Sequence, residues 1–225
     1  MRIAGEEARV SVTLSWAQGL DGSIAARRGQ RTRISGEASL AATHRLRSEH
    51  DAILVGVGTV LSDDPRLDVR RAPGASPQPI ILDAGLRTPL GSALVGRADQ
   101  KPWIFAAASA APERRAALEA AGCRIMSAGV DAAGRLDLAE VLAGLADSGI
   151  ASLMVEGGGA VLVAFLESRL VDRIVVTLGP SLLGGYNPFT RGPAGAFPVD
   201  LDDPLISVLG ADVVIDGVPR WPAPS

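Results

Sequence analysis

Residues 51–65, DAILVGVGTVLSDDP, constrain this chain more than any other stretch. The apolar run near 51–56 suits a short buried strand. The run passes at once into Gly56, Val57, Gly58 and Thr59 and then into Asp63, Asp64 and Pro65, so a buried strand delivers a polar constellation to a sheet edge. A second delivery occurs at 151–159, ASLMVEGGG, where a strand ends in Glu156 and a glycine triplet precedes an apolar helix over 160–170. Two strand ends furnished in this way point to a nucleotide-dependent enzyme.

The remaining pattern extends the alternation of strand and helix. Strands are expected at 10–16, 79–83, 103–107 and 123–127, with helices over 36–49, 112–121 and 137–148. Ser35 is placed to cap the first helix, Asp137 to lead the third and Gly149 to close it. Segments 172–178 and 205–215 read as two final strands forming an antiparallel edge. This order predicts a mostly parallel sheet covered on both faces. At 225 residues, 47% hydrophobic, the chain can bury one sizeable core, and no linker divides it, so 1–225 is expected to be one domain.

Charge and composition exclude some partners. The 22 basic and 25 acidic residues are interspersed and leave a formal charge of −3, which gives nucleic acid no electrostatic footprint. With only 4% aromatic residues, base-stacking platforms are not expected either. Glu6 and Glu7 precede any apolar run, against an ordinary secretory signal, and no apolar stretch approaches the roughly 20 residues that span a bilayer. A cytoplasmic protein without membrane contact is expected. The single cysteine, Cys123, reads as a buried strand thiol.

Familiar site motifs fit poorly. Gly56 and Gly58 supply two glycines of a dinucleotide fingerprint and Asp83 ends a strand farther on, but Leu61 replaces the third small residue and the prolines of 63–79 rule out a continuous crossover helix before Asp83. The triplet 157–159 lacks the Lys-Ser/Thr ending of a Walker loop, yet it would let backbone N–H groups approach a pyrophosphate. Asp63 and Asp64 resemble metal ligands only as a pair. The two histidines, His44 and His50, lie on or near one helix without partners at metal-site spacing, so no metal is expected. The Pro- and Gly-rich segments 72–79 and 184–198 are the loops best suited to border a site, and Asp21 reads equally as a turn former or a site-loop residue.

Several motifs in series carry a resemblance. They are Gly19-Leu20-Asp21-Gly22, the run Arg33-Ile34-Ser35, His44 with Leu46-Arg47, Asp51-Ala52 with GVGTVLSDDPRL, ILD at 81–83 with Thr88-Pro89, and Glu156 with its glycines. Together they resemble the riboflavin-pathway pyrimidine reductases of the RibD C-terminal domain family, over roughly 10–185. No zinc-binding deaminase half accompanies them, which resembles the stand-alone members. The resemblance implies a dihydrofolate-reductase-like three-layer α/β/α fold with a mixed, mostly parallel central sheet, and a homodimer. It also implies NADPH as cofactor and, as substrate, a small phosphorylated pyrimidine whose ribosylamino group is reduced to ribitylamino.

Carried over by position, the family's cofactor contacts fall on Ala17, Arg33, Thr59, Asp63 and the segment 158–164, which includes Gly158, Gly159, Ala160, Val161 and Leu162. Its substrate contacts fall on Arg31, Arg47, Leu67, Arg70 and Glu156. Arg31 and Arg33 stand where many members have a small polar residue and a tryptophan, so the resemblance leaves the pyrimidine's substitution pattern open. A pterin-like substrate on the same scaffold, or a nucleotide-binding module without catalysis, are the alternatives. Arg47 and Arg70 are expected to clamp the substrate phosphate. Glu156 and Asp63 are the catalytic candidates, Glu156 as a proton donor because a desolvated carboxyl at an apolar strand end should have a raised pKa.

Overall fold

A computed structural model describes residues 9–191 and 198–221 of the chain. Nine strands form one sheet: β1 Ser11–Gln18, β2 Ala52–Gly56, β3 Gln78–Leu82, β4 Trp103–Ala106, β5 Arg124–Ser127, β6 Ser152–Gly157, β7 Arg173–Leu178, β8 Asp200–Leu209 and β9 Asp212–Arg220. Five α-helices join them: α1 Glu37–Ser48, α2 Val57–Asp63, α3 Pro112–Ala120, α4 Leu138–Asp147 and α5 Gly159–Glu167. The strand order is β5-β4-β3-β2-β6-β1-β7-β9-β8; β1 to β7 pair in parallel, and β9 and β8 add an antiparallel edge.

The unbroken apolar run at β2 has the cause expected of it, since both faces of that strand are covered. Leu54 packs with Val155, Val141, Leu162 and Phe165 on the side of α4 and α5. Ile53 and Val55 pack with Met154, Leu46, Val57, Val60 and Leu118 on the side of α1, α2 and α3. Asp137 caps α4 as its position predicts, its carboxylate accepting from the Ala139 amide at 2.8 Å and the Glu140 amide at 3.2 Å. Gly149, at φ +85°, ends the same helix in the left-handed region that glycine enters without strain.

Four local expectations are corrected. The residues after β2, where no helix was expected, form helix α2. Ser35 does not cap α1: the N-cap is Gly36, whose amide donates to Asp212 Oδ2 at 2.7 Å, and Ser39 Oγ donates to the same oxygen. A carboxylate 176 residues away in sequence thus does what a local hydroxyl was expected to do. Segment 205–215 is not one strand but the end of β8, a turn at Gly210 with φ +67°, and the start of β9. Helix α5 starts at Gly159 and stops at Glu167, short of the expected 170.

Chain order and strand order together locate an active edge. From β1 the chain crosses by α1 to β2, leaving a slot that β6 later fills, and from β2 it moves outward to β3, β4 and β5. In such sheets the loops diverge at the carboxyl ends of the strands flanking the reversal, opening a crevice there. Here those ends belong to β2, β6 and β1.

Candidate active site

Two glycine turns meet at this edge. Gly56 leads from β2 into α2 and Gly158 from β6 into α5, and neither helix start receives a side-chain cap. The turns are tied by one hydrogen bond, from the Gly158 amide to Thr59 Oγ1 at 2.8 Å. A Cβ on Gly56 would stand 2.8 Å from Val161 Cγ2, and one on Gly159 would stand 2.6 Å from Pro188 Cβ. Glycine is therefore what allows α5 to seat against β2 and the 186–188 segment. Gly58 differs, because a Cβ there would meet nothing within 4 Å. Among the described residues no acceptor faces the amides of Gly159 and Ala160, so the positive end of α5 presents two N–H groups to the crevice.

Beside the turns lies a charged pair. Arg47, near the end of α1, donates from Nε to Glu156 Oε1 at 2.6 Å and from Nη2 to Glu156 Oε2 at 2.8 Å. Its Nη1 donates to the Asp68 carbonyl at 2.9 Å. The side chains are 13% and 16% exposed, so most of this pair is out of water. Burial works against the charge on Arg47, but the carboxylates of Glu156 and Asp68 outweigh it and push its pKa up. Two expectations change here. The fork of Arg47 is engaged by protein rather than left for a phosphate, and Glu156 ends its strand against a guanidinium rather than in the apolar surroundings assumed for a proton donor.

The rim on the other side is a zipper between the loop after β1 and the loop after β7. Leu20 N–H donates to Ser181 O at 2.8 Å, Ile24 N–H to Tyr186 O at 2.8 Å and Tyr186 N–H to Ala25 O at 2.8 Å. Asp21 latches it, accepting from the Gly184 amide at 2.6 Å and from Ser23 Oγ at 2.9 Å. Desolvation opposes ionisation of Asp21, yet these donors pull its pKa down to about 2. Asp21 is thus both turn former and loop latch. Arg28 lies over the Tyr186 ring at 5.6 Å, and the Tyr186 hydroxyl would be 3.0 Å from a Cβ on Gly159.

The other predicted residues divide into those at the edge and those held elsewhere. Asp63 closes α2, half-buried, accepting from Ser62 Oγ at 2.7 Å. Asp64 turns away: as the left-handed C-cap of α2 it accepts from the Ala93 amide at 2.7 Å. Ala17 sits on β1 opposite Thr177. Leu67 is buried at φ +52°, and Arg70 is exposed with its guanidinium on Asp68. Arg31 is exposed, and Arg33 is engaged with Glu37 at the start of α1. Of the two loops expected to border a site, 72–79 leads into β3, and the 184–198 loop supplies Tyr186 and Pro188, while 192–197 lie outside the described residues, as do Glu6 and Glu7.

Sequence reasoning gave no site role to His44, Asp68 or Tyr186. Only His44 carried a signal, its place one helical turn before Arg47. Two hollows lie apart from the glycine turns. One of about 340 Å³ is lined by Val130, Arg135 and Glu167, and one of about 230 Å³ by Ser15, Arg173 and Asp216. Neither holds the glycine turns, and the topological crevice is the better guide to the chemistry.

Comparison with known proteins identifies relatives of the chain. The sequence profile of the RibD C-terminal domain matches residues 10–215. The chain is 39% identical over 185 residues to the 2,5-diamino-6-ribosylamino-4(3H)-pyrimidinone 5′-phosphate reductase of Methanothermobacter thermautotrophicus, covering 81% of this chain and 83% of that one. It is 32% identical to the riboflavin biosynthesis protein RibD of Bacillus amyloliquefaciens, covering 93% of this chain and 57% of that one. Among solved structures, the riboflavin biosynthesis reductase of Saccharomyces cerevisiae superposes with a TM-score of 0.76 at 27% identity, over 97% of this chain and 93% of that one. A dihydrofolate reductase from Enterococcus faecalis shares the fold at a TM-score of 0.53 and 14% identity, over 93% of this chain and 96% of that one. No described helix is long and apolar enough to cross a membrane.

Proposed function

The chain belongs to the RibD C-terminal domain family, and on that premise we propose that it reduces 2,5-diamino-6-ribosylamino-4(3H)-pyrimidinone 5′-phosphate to its ribitylamino product with NADPH. Relatives at 39%, 35% and 34% identity that bear the name of this substrate favour the diaminopyrimidine over its deaminated counterpart. The observation that carries the reading is the pair of glycine turns tied by Gly158 and Thr59, with the ion pair of Arg47 and Glu156 beside them.

The residues fit a dinucleotide. Two unaccepted amides at Gly159 and Ala160 suit an anionic bridge, and the open space at Gly58 lets a ligand approach the backbone. Thr59, Asp63, Ala17 and the 158–164 turn would hold the cofactor. Val161 and the buried Leu162 support the turn from beneath, and Arg33, at the start of α1 with Glu37, is the further proposed cofactor contact. NADPH, when bound, supplies a hydride.

The protein's share is orientation. Ring opening of the ribosylamine gives an imine whose carbon accepts the hydride and whose nitrogen gains a proton. Holding two reacting carbons about 3–3.5 Å apart is the main requirement, and rigid strand ends meet it. Glu156, fixed by Arg47, presents the pyrimidine with a carboxylate of set direction. Leu67, buried in the core, holds the segment that carries Arg70. Arg70 and Arg31 are the exposed cations available to the 5′-phosphate, and Asp63, in partial contact with water, exchanges the proton.

We read 1–225 as one domain of a cytoplasmic homodimer. Leu205, Ile206 and Val208 on edge strand β8 are 65%, 62% and 71% exposed, an apolar edge that a second copy would cover. Sedimentation at two protein concentrations tests the dimer. The activity is tested by following NADPH oxidation with the diamino compound, its deaminated counterpart, its dephosphorylated form and dihydrofolate. Turnover of the diamino phosphate is expected to lead by at least an order of magnitude, since a site built for an amino group rejects its replacement strongly. Equal or faster oxidation with dihydrofolate would overturn the reading.

A further inference from the structure

His44 is 3% exposed on α1. Its Nδ1 lies 3.2 Å from the backbone nitrogen of Arg70. An amide N–H can only donate, so Nδ1 must be the bare nitrogen and the ring proton sits on Nε2. The captured amide belongs to the segment on which the proposed substrate contacts Leu67 and Arg70 lie. Leu67 anchors that segment in the core, the Asp68 carbonyl takes Nη1 of Arg47, and Val69 N–H donates to Ser76 Oγ at 3.0 Å. His44 supplies a further attachment, at the end that carries the Arg70 side chain.

The charges around the ring come from three elements. Arg47 on the same helix and Arg70 on the segment oppose a second proton, while Glu156 on β6 and Asp68 favour one. Burial adds to the opposition as the largest influence, and the His44 pKa lies below its ordinary 6.5. A second ring proton would put a donor at Nδ1 facing the Arg70 donor, so the contact exists only with the uncharged ring.

We propose that His44 is a positioning residue for the pyrimidine phosphate: uncharged, it fixes the 68–70 segment against the pair of Arg47 and Glu156, and a second proton on its ring releases segment and substrate together. The proposal rests on the reading that this segment binds the substrate.

The test compares the wild type with His44→Asn, whose side-chain oxygen accepts near the Nδ1 position without titrating, and with His44→Phe, which keeps the bulk and has no acceptor. In the wild type the KM for the pyrimidine phosphate should rise about tenfold as pH falls below the ordinary histidine range, the worth of one hydrogen bond, while the KM for NADPH stays level. His44→Asn should abolish the acid rise, and His44→Phe should show the raised KM even at neutral pH. An acid rise that persists in His44→Asn, or a neutral KM in His44→Phe equal to wild type, would overturn the proposal. A second measurement is independent of turnover: in nitrogen-15 spectra of the ligand-free protein, the Arg70 amide should titrate with the His44 ring. An Arg70 amide indifferent to that titration overturns the contact even if the reductase activity stands. An amide that follows it in a protein without pyrimidine reductase activity overturns the functional reading, and with it the substrate half of the proposal.

Discussion

Arg47 and Glu156, 109 residues apart, meet in two parallel hydrogen bonds that join the end of α1 to the end of β6. Such a pair joins a helix to a strand end, and it sets the direction of a carboxylate that would otherwise rotate. Removing one half strands the other as a buried charge, which costs more than the intact pair contributes.

Glu156→Gln leaves a mostly buried guanidinium without its counter-charge. Thermal unfolding should show a loss of about 3 kcal/mol, and kcat/KM for the pyrimidine phosphate should fall at least tenfold. Arg47→Met combined with Glu156→Leu should recover much of the stability, because two matched apolar side chains need no partner, and recover no activity. A stable double variant with wild-type kinetics would show that the pair only braces the fold.

Thr59 ties the two glycine turns together by accepting from the Gly158 amide. Thr59→Ser keeps the acceptor and should bind NADPH nearly as the wild type does. Thr59→Val keeps the shape but leaves the Gly158 amide without this acceptor, and the Kd should weaken about five- to tenfold for the lost hydrogen bond. Fluorescence titration of the two variants checks this, and equal affinities would remove the tie from the cofactor site.

Gly58 separates binding from folding. Its backbone is helical and a Cβ would meet nothing, so Gly58→Ala should raise stability by about 0.5–1 kcal/mol through the unfolded chain and helix propensity. If the cofactor approaches that backbone, the same methyl group should weaken NADPH binding. A higher melting temperature with a poorer Kd is the expected combination. A higher melting temperature with an unchanged Kd would move the cofactor away from the start of α2.

The features legible in the sequence and those hidden in it divide on physical grounds. The strands at 52–56 and 152–157 were legible because burial on both faces leaves an unalternating apolar run, and Asp137 was legible because a capping side chain acts on its own helix. Helix α2 was hidden by Gly56 and Gly58, which lower helix propensity, although Gly56 serves for close packing against α5. The cap of α1 was hidden because Asp212 reaches it from the start of β9, far along the chain. The surroundings of Glu156 were hidden for the same reason: strand residues before it are apolar, and only the fold brings Arg47 to its carboxylate. Contacts within a few residues leave a pattern in sequence, whereas contacts between distant segments leave residue types whose partners cannot be read.

The buried His44 makes one further prediction, about stability alone. Its folded pKa lies below the ordinary 6.5, with burial as the leading cause and Arg47 and Arg70 behind it. The unfolded chain therefore takes up a proton at pH values where the folded protein does not. Proton uptake by the unfolded state favours unfolding, so the contribution of His44 is fully present above about pH 6.5, declines as pH falls through the window down to the folded value, and changes no further below it. Each unit of depression corresponds to about 1.4 kcal/mol. Carboxylates titrate near the lower end of that window, so the quantity to measure is the difference between wild type and His44→Asn in urea unfolding free energy from neutral to mildly acid pH. The variant should lose less stability than the wild type over that range. Parallel curves would mean that His44 is protonated as easily in the folded protein as in the open chain, and that its Nδ1 does not hold the Arg70 amide.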